Sequence, residues 1–246
     1  QKYDDNFELY LDPAAEHQIK LRRKNFTPPT SGNIDMTSMT ADEAQLTIRA
    51  AVAAGFTEIK LTGELSKTGI GGNWGTFINN KKITKCDLTG VTDWGRTPTL
   101  PDVAFANCTA LQEVTLPGDM KVIGGSAFSG CAALTTVNLS QVTWINLNAF
   151  WGCTSLETLA LDNVTAIGQE AFYGCTGLET LKIPKCTQFG NYIISGCKAL
   201  TRIEATAAGD FVDISDGRSS IERTAVFHNR DSHYGDSAFN PAKCDL

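Results

Sequence analysis

The sequence predicts a repeat solenoid, mostly β with some helix, in which coils of 22–23 residues stack side by side. Three observations carry that prediction. Cys108, Cys131, Cys153, Cys175 and Cys197 follow one another at intervals of 23, 22, 22 and 22 residues. Four of these cysteines close an Ala-Phe phrase, as in Ala127-Phe128-Ser129-Gly130-Cys131, and the fifth closes the worn copy Ile193-Ile194-Ser195-Gly196-Cys197. Three residues after each cysteine an apolar-x-x-apolar-x-apolar pattern begins, seen in Leu134/Val137/Leu139 and Leu156/Leu159/Leu161. A fixed period of this length marks units that bury their apolar faces only by stacking.

Each element follows in chain order. Residues 1–39 form an N-terminal extension, with a hairpin expected from Phe7 to Leu11 and Gln18 to Arg22 around Asp12-Pro13, then a linker rich in Pro, Thr, Ser and Gly. The repeat domain spans 40–205. It opens with a capping helix at 41–54, signalled by the capping-box pair Thr40 and Glu43, a run of good helix formers and Gly55 in place to end it. Strands follow at Phe56/Ile59/Leu61 and Ile83/Cys86/Leu88, with Asn80 in the cysteine slot. The leading strand residues then lie 27, 28, 23, 22, 22 and 22 apart, so the first repeats carry insertions, read as loops at Lys67–Trp74 and Gly95–Asp102. Within each strand the last two apolar residues alternate with outward ones. Cys186 replaces a core valine. Residues 206–246 form a C-terminal cap, with Ala238-Phe239 and Cys244 as a relic of the repeat.

The repeat phrase resembles the BspA-like leucine-rich-repeat family of bacterial surface proteins, whose units read L-x-x-(I/L)-x-(I/L)-P followed by V-x-x-I-G-x-x-A-F-x-x-C. Leu178 to Cys197 carries the first half with Pro184, and Ile167-Gly168-Gln169-Glu170-Ala171-Phe172-Tyr173-Gly174-Cys175 carries the second. The resemblance covers about residues 56 to 205. It departs at Asn80, at the inserted loops and at Ile193-Ile194. It implies a right-handed leucine-rich-repeat array of short parallel strands forming one sheet and capped at both ends. It further implies a bacterial cell-surface setting and, for some members, adhesion to host matrix proteins.

Composition narrows the function classes. The chain has 246 residues, is 42% hydrophobic and carries a formal net charge of −6. That balance argues against nucleic acid as a partner, because phosphate contacts call for a basic patch. Its one dense basic run, Lys20 to Lys24, reads as a solvated strand edge. No apolar stretch approaches the ~20 residues of a membrane-spanning helix. The chain opens at Gln1 with neither Met nor an apolar leader and so reads as processed or trimmed, which is compatible with export.

Eight cysteines admit a disulfide reading, and coils about 4.8 Å apart would hold equivalent Cα atoms within disulfide range. Equivalent residues on stacked coils, however, point the same way. A column of buried thiols is the favoured arrangement. A catalytic role is disfavoured, because one residue recurring in one structural slot is a packing signal, and no histidine neighbours any cysteine in sequence.

No catalytic residue, cofactor or metal site is expected. His228 and His233, with Asp210, Asp213 or Asp216, could be assembled into a metal site, but the spacing matches no zinc helix motif and no calcium loop. The glycines Gly69, Gly71, Gly72 and Gly75 lack the βαβ context of a dinucleotide site. Sequons at Asn25, Asn107, Asn138 and Asn163 carry little information, since the last three follow from the repeat register.

What remains is surface. Two outward columns run across the strands: Glu58, Lys85, Glu113, Thr136, Thr158, Thr180, Arg202, and Lys60, Asp87, Thr115, Asn138, Ala160, Lys182, Glu204. Their centre is short and neutral, suited to an extended partner or glycan, although threonine also simply suits an exposed strand. Trp144 precedes inward Ile145 and Trp151 follows inward Phe150, so the two rings can either face outward and mark a binding patch or lie partly buried against neighbouring turns. Trp74 and Trp94 lie beside the insertions and can be read either way. The expected protein is therefore a non-enzymatic, secreted or cell-surface monomer that binds protein or glycan through Trp144, Trp151, Thr136, Thr158, Thr180 and Asn138. A structural spacer without a ligand is the alternative, and an enzyme with its site in the C-terminal cap the weakest one.

Overall fold

A computed structural model describes residues 7–11, 19–23, 27–71, 75–204 and 211–213. The expected hairpin is present as Phe7–Leu11 paired antiparallel with Ile19–Arg23, one residue later in its second strand than the sequence suggested.

The main strand face begins earlier than the sequence indicated. Asn33–Asp35, expected as linker, pairs in parallel with Glu58–Glu64 and buries Ile34. Lys85–Thr92, Glu113–Thr115 and Thr136–Val137 continue the same parallel sheet. Between the first two strands stands the helix Ala41–Ala53. Its Thr40 Oγ1 accepts from the Glu43 N–H, and the Glu43 carboxylate accepts from the Thr40 N–H, so the capping box forms as expected. Ala44, Ile48, Ala51 and Val52, one stripe of that helix, enter the common core.

A second run of strands, Thr158–Ala160, Thr180–Lys182 and Arg202–Glu204, extends the face, and Phe211–Asp213 pairs antiparallel with the last of them. The two runs are not hydrogen-bonded to each other, so the single expected sheet has a seam between Thr136–Val137 and Thr158–Ala160.

The coils are joined by more than this face. Thr99–Leu100, Val122–Ile123, Trp144–Ile145, Ala166–Ile167 and Gln188–Phe189 form a second in-register parallel ladder. Turns following it form a third, in which Phe105, Phe128, Phe150 and Phe172 N–H groups donate to the carbonyls of Ala127, Ala149, Ala171 and Ile193 in the next coil. The second ladder corrects the position of one insertion. Gly95–Asp102 is not simply a loop, since Thr99–Leu100 fills the regular position of Val122–Ile123; the extra residues lie just before it. The other insertion begins within the short helix Leu65–Thr68, stopped by Gly69 in the left-handed region, while 72–74 lie outside the described residues.

Two repeat positions are dictated by close approach and backbone sign. A Cβ on Gly168 would sit 2.5 Å from the Leu147 nitrogen of the preceding coil, which accounts for Gly in the Ile-Gly phrase. The position before each column cysteine has positive φ, from 58° at Asn107 to 78° at Gly196, and is filled by Asn or Gly.

Within the coils, Phe77, Phe105, Phe128, Phe150 and Phe172 are fully buried and stack in one line, with centroids 5.2–5.6 Å apart. Beside them runs the cysteine column. Each Sγ donates to the carbonyl of the phenylalanine one coil back: Cys108 to Phe77, Cys131 to Phe105, Cys153 to Phe128, Cys175 to Phe150 and Cys197 to Phe172, at 2.8–3.1 Å. All seven described cysteines are buried and none is in a disulfide. The thiol is thus both a small apolar filler and the donor that satisfies a buried carbonyl.

Candidate functional site

Two surfaces are left once the three ladders have taken their residues. On the strand face the predicted outward columns are in register, Glu58 beside Lys85 beside Glu113 beside Thr136, then Thr158 beside Thr180 beside Arg202. At the N-terminal end the column is charged. Lys85 lies 3.4 Å from Glu58 and 3.9 Å from Glu113, and Lys60 lies 2.9 Å from Asp87. Partial burial pushes the Asp87 carboxyl up, but hydrogen bonds from Thr89 and Lys60 outweigh it and leave the group below its ordinary range. Exposed pairs of this kind contribute about 0–1 kcal/mol each.

Toward the centre the face is neutral. Thr136 and Thr158 are exposed and Thr180 is half-buried. Asn138 is engaged with the neighbouring coil instead. Its Nδ2 donates to the Leu116 carbonyl at 2.9 Å, and its Oδ1 accepts from the Leu116 N–H at 2.6 Å. The amide therefore replaces a backbone rung.

The other surface lies along the second ladder and the turns. The large hydrophobic residues exposed among the described residues all fall here: Trp144 at 48%, Leu147 at 51%, Trp151 at 42%, Tyr173 at 38% and Tyr192 at 47%. Both tryptophans face outward because Ile145 and Phe150, their chain neighbours, face in. Trp151 and Tyr173 occupy the same slot, the residue after the buried aromatic, on consecutive coils. Their rings stack 6.0 Å apart at an angle of 4°. The sequence singles out the tryptophans but not Leu147, Tyr173 and Tyr192, whose signal is the same outward placement without a tryptophan to mark it.

Trp94 resolves the other way. It is buried at 9% and its Nε1 donates to the Val91 carbonyl at 2.7 Å. The displaced segment around it, with Thr89, Pro98, Pro117 and Asp119, borders an open groove of about 690 Å³.

The described cysteines carry no activated thiol chemistry. Burial pushes the Cys108 and Cys186 thiols up to about 12, and also holds Cys86, Cys131, Cys153 and Cys175 well above the ordinary thiol range. Such thiols are the opposite of activated nucleophiles. Among the described residues no three His, Cys, Asp or Glu side chains converge as a metal site. His228, His233, Asp210 and Asp216, which carried the cap-site idea, lie outside the described residues, as does Trp74. Among the described residues no helix is long and apolar enough to cross a membrane.

Coils of this length, with a parallel strand face, an inward Leu/Ile/Phe/Cys column and side-by-side stacking, define a leucine-rich-repeat solenoid. The chain belongs to the BspA type leucine rich repeat family, whose repeat region matches residues 76–201 in six copies.

Solved structures similar to it include a leucine rich repeat protein of T. pallidum, 27% identical over 49% of this chain and 57% of that one, with a TM-score of 0.46. A leucine rich cell surface protein of Faecalibacterium prausnitzii is 21% identical over 87% of this chain and 60% of its own, with a TM-score of 0.46. A leucine-rich repeat protein of Bacteroides ovatus is 23% identical over 82% and 46%, with a TM-score of 0.47. The chain thus spans about half the length of these proteins. No curated protein matches it.

Proposed function

We propose that this is a non-enzymatic repeat protein, exported and displayed at the bacterial cell exterior, whose stacked coils hold a rigid surface for a protein or glycan ligand. One observation carries the reading: Trp144 and Trp151 are exposed on a scaffold whose ladders and turns hydrogen-bond the backbone around them to the neighbouring coils. Large amphipathic rings held without conformational freedom are the side chains that concentrate binding energy at interfaces. Export and surface display are taken over from the family. The threonines Thr136, Thr158 and Thr180 provide a second, neutral face to the same scaffold.

The test is a binding screen of the purified chain against immobilised matrix proteins and glycans, repeated with Trp144→Ala and Trp151→Ala together. Binding reduced at least about tenfold, with Tm lowered by no more than a few degrees, is the expected outcome. Unaltered binding by the double variant would refute the assignment of the surface. A chain that binds nothing in the screen would favour the spacer alternative.

A further inference from the structure

The slot that holds Trp151 and Tyr173 can be followed along the array. From coil to coil it reads Ala106, Ser129, Trp151, Tyr173, Ser195. The aromatic stack is therefore two rings long and has a serine on either side. Ser129 and Ser195 are half-buried, and neither side chain is large enough to cover the ring next to it. The outer face of Trp151, toward Ser129, and the outer face of Tyr173, toward Ser195, are thus left beside gaps one slot wide. Inside the same coils the phenylalanines show that this stacking accepts a ring at each successive slot, with centroids at 5.2–5.6 Å.

We propose that the two open ends of the Trp151–Tyr173 stack are subsites for pyranose rings of an uncharged glycan, each sugar lying over a serine and against an aromatic face. This deepens the ligand-binding reading above and rests on it.

Three features select that ligand chemistry. The slot holds no charged side chain in any of the five coils, so neither an anionic nor a cationic ligand is matched by charge. Its backbone is already engaged: the N–H groups of Asn107, Gly130, Gly152 and Gly174 donate to the carbonyls of Ser129, Trp151, Tyr173 and Ser195. An extended peptide that adds by main-chain pairing finds no free rung there. What the gaps do offer is an aromatic face beside a serine hydroxyl, and a pyranose presents the complement, an apolar C–H face bordered by hydroxyl groups.

The experiment titrates the full chain with neutral hexasaccharides of β-1,4-glucose, α-1,4-glucose, β-1,4-mannose and β-1,4-N-acetylglucosamine, with decaproline as the peptide comparison. Calorimetry and tryptophan fluorescence are the readouts. The informative variants fill the gaps with the protein's own rings: Ser129→Trp and Ser195→Trp leave Trp144, Trp151 and Tyr173 intact. At least one hexasaccharide should bind and perturb tryptophan emission, and the double filling variant should weaken it about tenfold while leaving Tm unchanged or higher.

No hexasaccharide binding up to about 10 mM would overturn the proposal. So would binding indifferent to the filling variants, or binding by decaproline alone. A matrix protein that binds through Trp144 and Trp151 while every sugar fails would sink the glycan subsites and leave the broader reading standing. Loss of every ligand's dependence on Trp144 and Trp151 would sink both.

Discussion

The buried thiols should make this protein sensitive to alkali, and the effect can be worked from the structure. Six cysteines have thiols held well above their ordinary range, first of all by burial. An unfolded thiol titrates near about 8.5. Above that pH the unfolded chain sheds protons that the native column retains, so stability is fully present below about 8.5 and declines as pH climbs toward about 12, the value reached by Cys108 and Cys186. A fully titrating difference is about 1.4 kcal/mol per pH unit for each thiol, which integrates to roughly 2 kcal/mol per thiol between about pH 8 and 10. Six of them amount to on the order of 10 kcal/mol, comparable with the whole stability of a domain. Urea unfolding followed by circular dichroism, in reductant, should therefore show a stable array near pH 8 and little of it near pH 10.

A single variant isolates the contribution of one thiol. Cys153→Ala removes one ionisable group and also the donor to the Phe128 carbonyl. It should be less stable than the parent near neutrality by about 1–3 kcal/mol, since a buried acceptor loses its partner. Yet its decline between about pH 8 and 10 should be shallower by roughly 2 kcal/mol, so the two curves converge. Parallel curves would refute the argument that burial of the thiols couples folding to pH.

The phenylalanine line gives a graded expectation. Phe150→Ala, with a ring on either side, should cost about 3–5 kcal/mol, and Phe77→Ala, at the end of the line with one stacked neighbour, less by about 0.5–1.5 kcal/mol; equal losses in denaturant unfolding would mean that ring stacking adds nothing to burial. At the seam, hydrogen exchange should find the Glu157 and Thr158 amides faster than Glu179 and Thr180, which both donate to the Glu157 carbonyl. Equal protection of the two pairs would show that the sheet is continuous in solution.

How much of the molecule is legible in its sequence depends on repetition. The strand face, the cysteine column and the outward set are readable because each occurs on successive coils, so one misread residue is corrected by its neighbours. The helix is readable from local chemistry alone, through Thr40 and Glu43. The elements that escape lack both supports. Asn33–Asp35 is three residues long, follows the Pro-Pro segment closely, and has only Ile34 and the buried Met36 to mark a face. The second ladder uses two-residue strands, too short for alternation to register. Its first strand falls inside an apparent insertion because Leu100 follows Leu88 by 12 residues where Ile145 follows Leu139 by 6. Trp94 cannot be assigned from sequence, since its burial depends on how the displaced segment folds back and on the Val91 carbonyl that receives its N–H.

The seam and the exposed aromatic stack concern the same two coils. One coil runs through Thr136–Val137, Trp144–Ile145 and Trp151, the next through Thr158–Ala160, Ala166–Ile167 and Tyr173. On the strand face the two share no ladder, whereas Trp144 and Ile145 pair with Ala166 and Ile167, and Gly152 donates to the Tyr173 carbonyl. The boundary is therefore bridged by two ladders, by the Trp151–Tyr173 contact and by side-chain bonds that Thr154 and Asn163 donate to the Ala132 and Ser140 carbonyls. An aromatic pair of this kind is worth about 0.5–1.5 kcal/mol beyond its area, which is small beside the buried phenylalanine line crossing the same boundary. The stack is thus too weak to be needed for the array. That is the physical reason to look for its use in a ligand, and the reason Trp151→Ala can separate binding from folding.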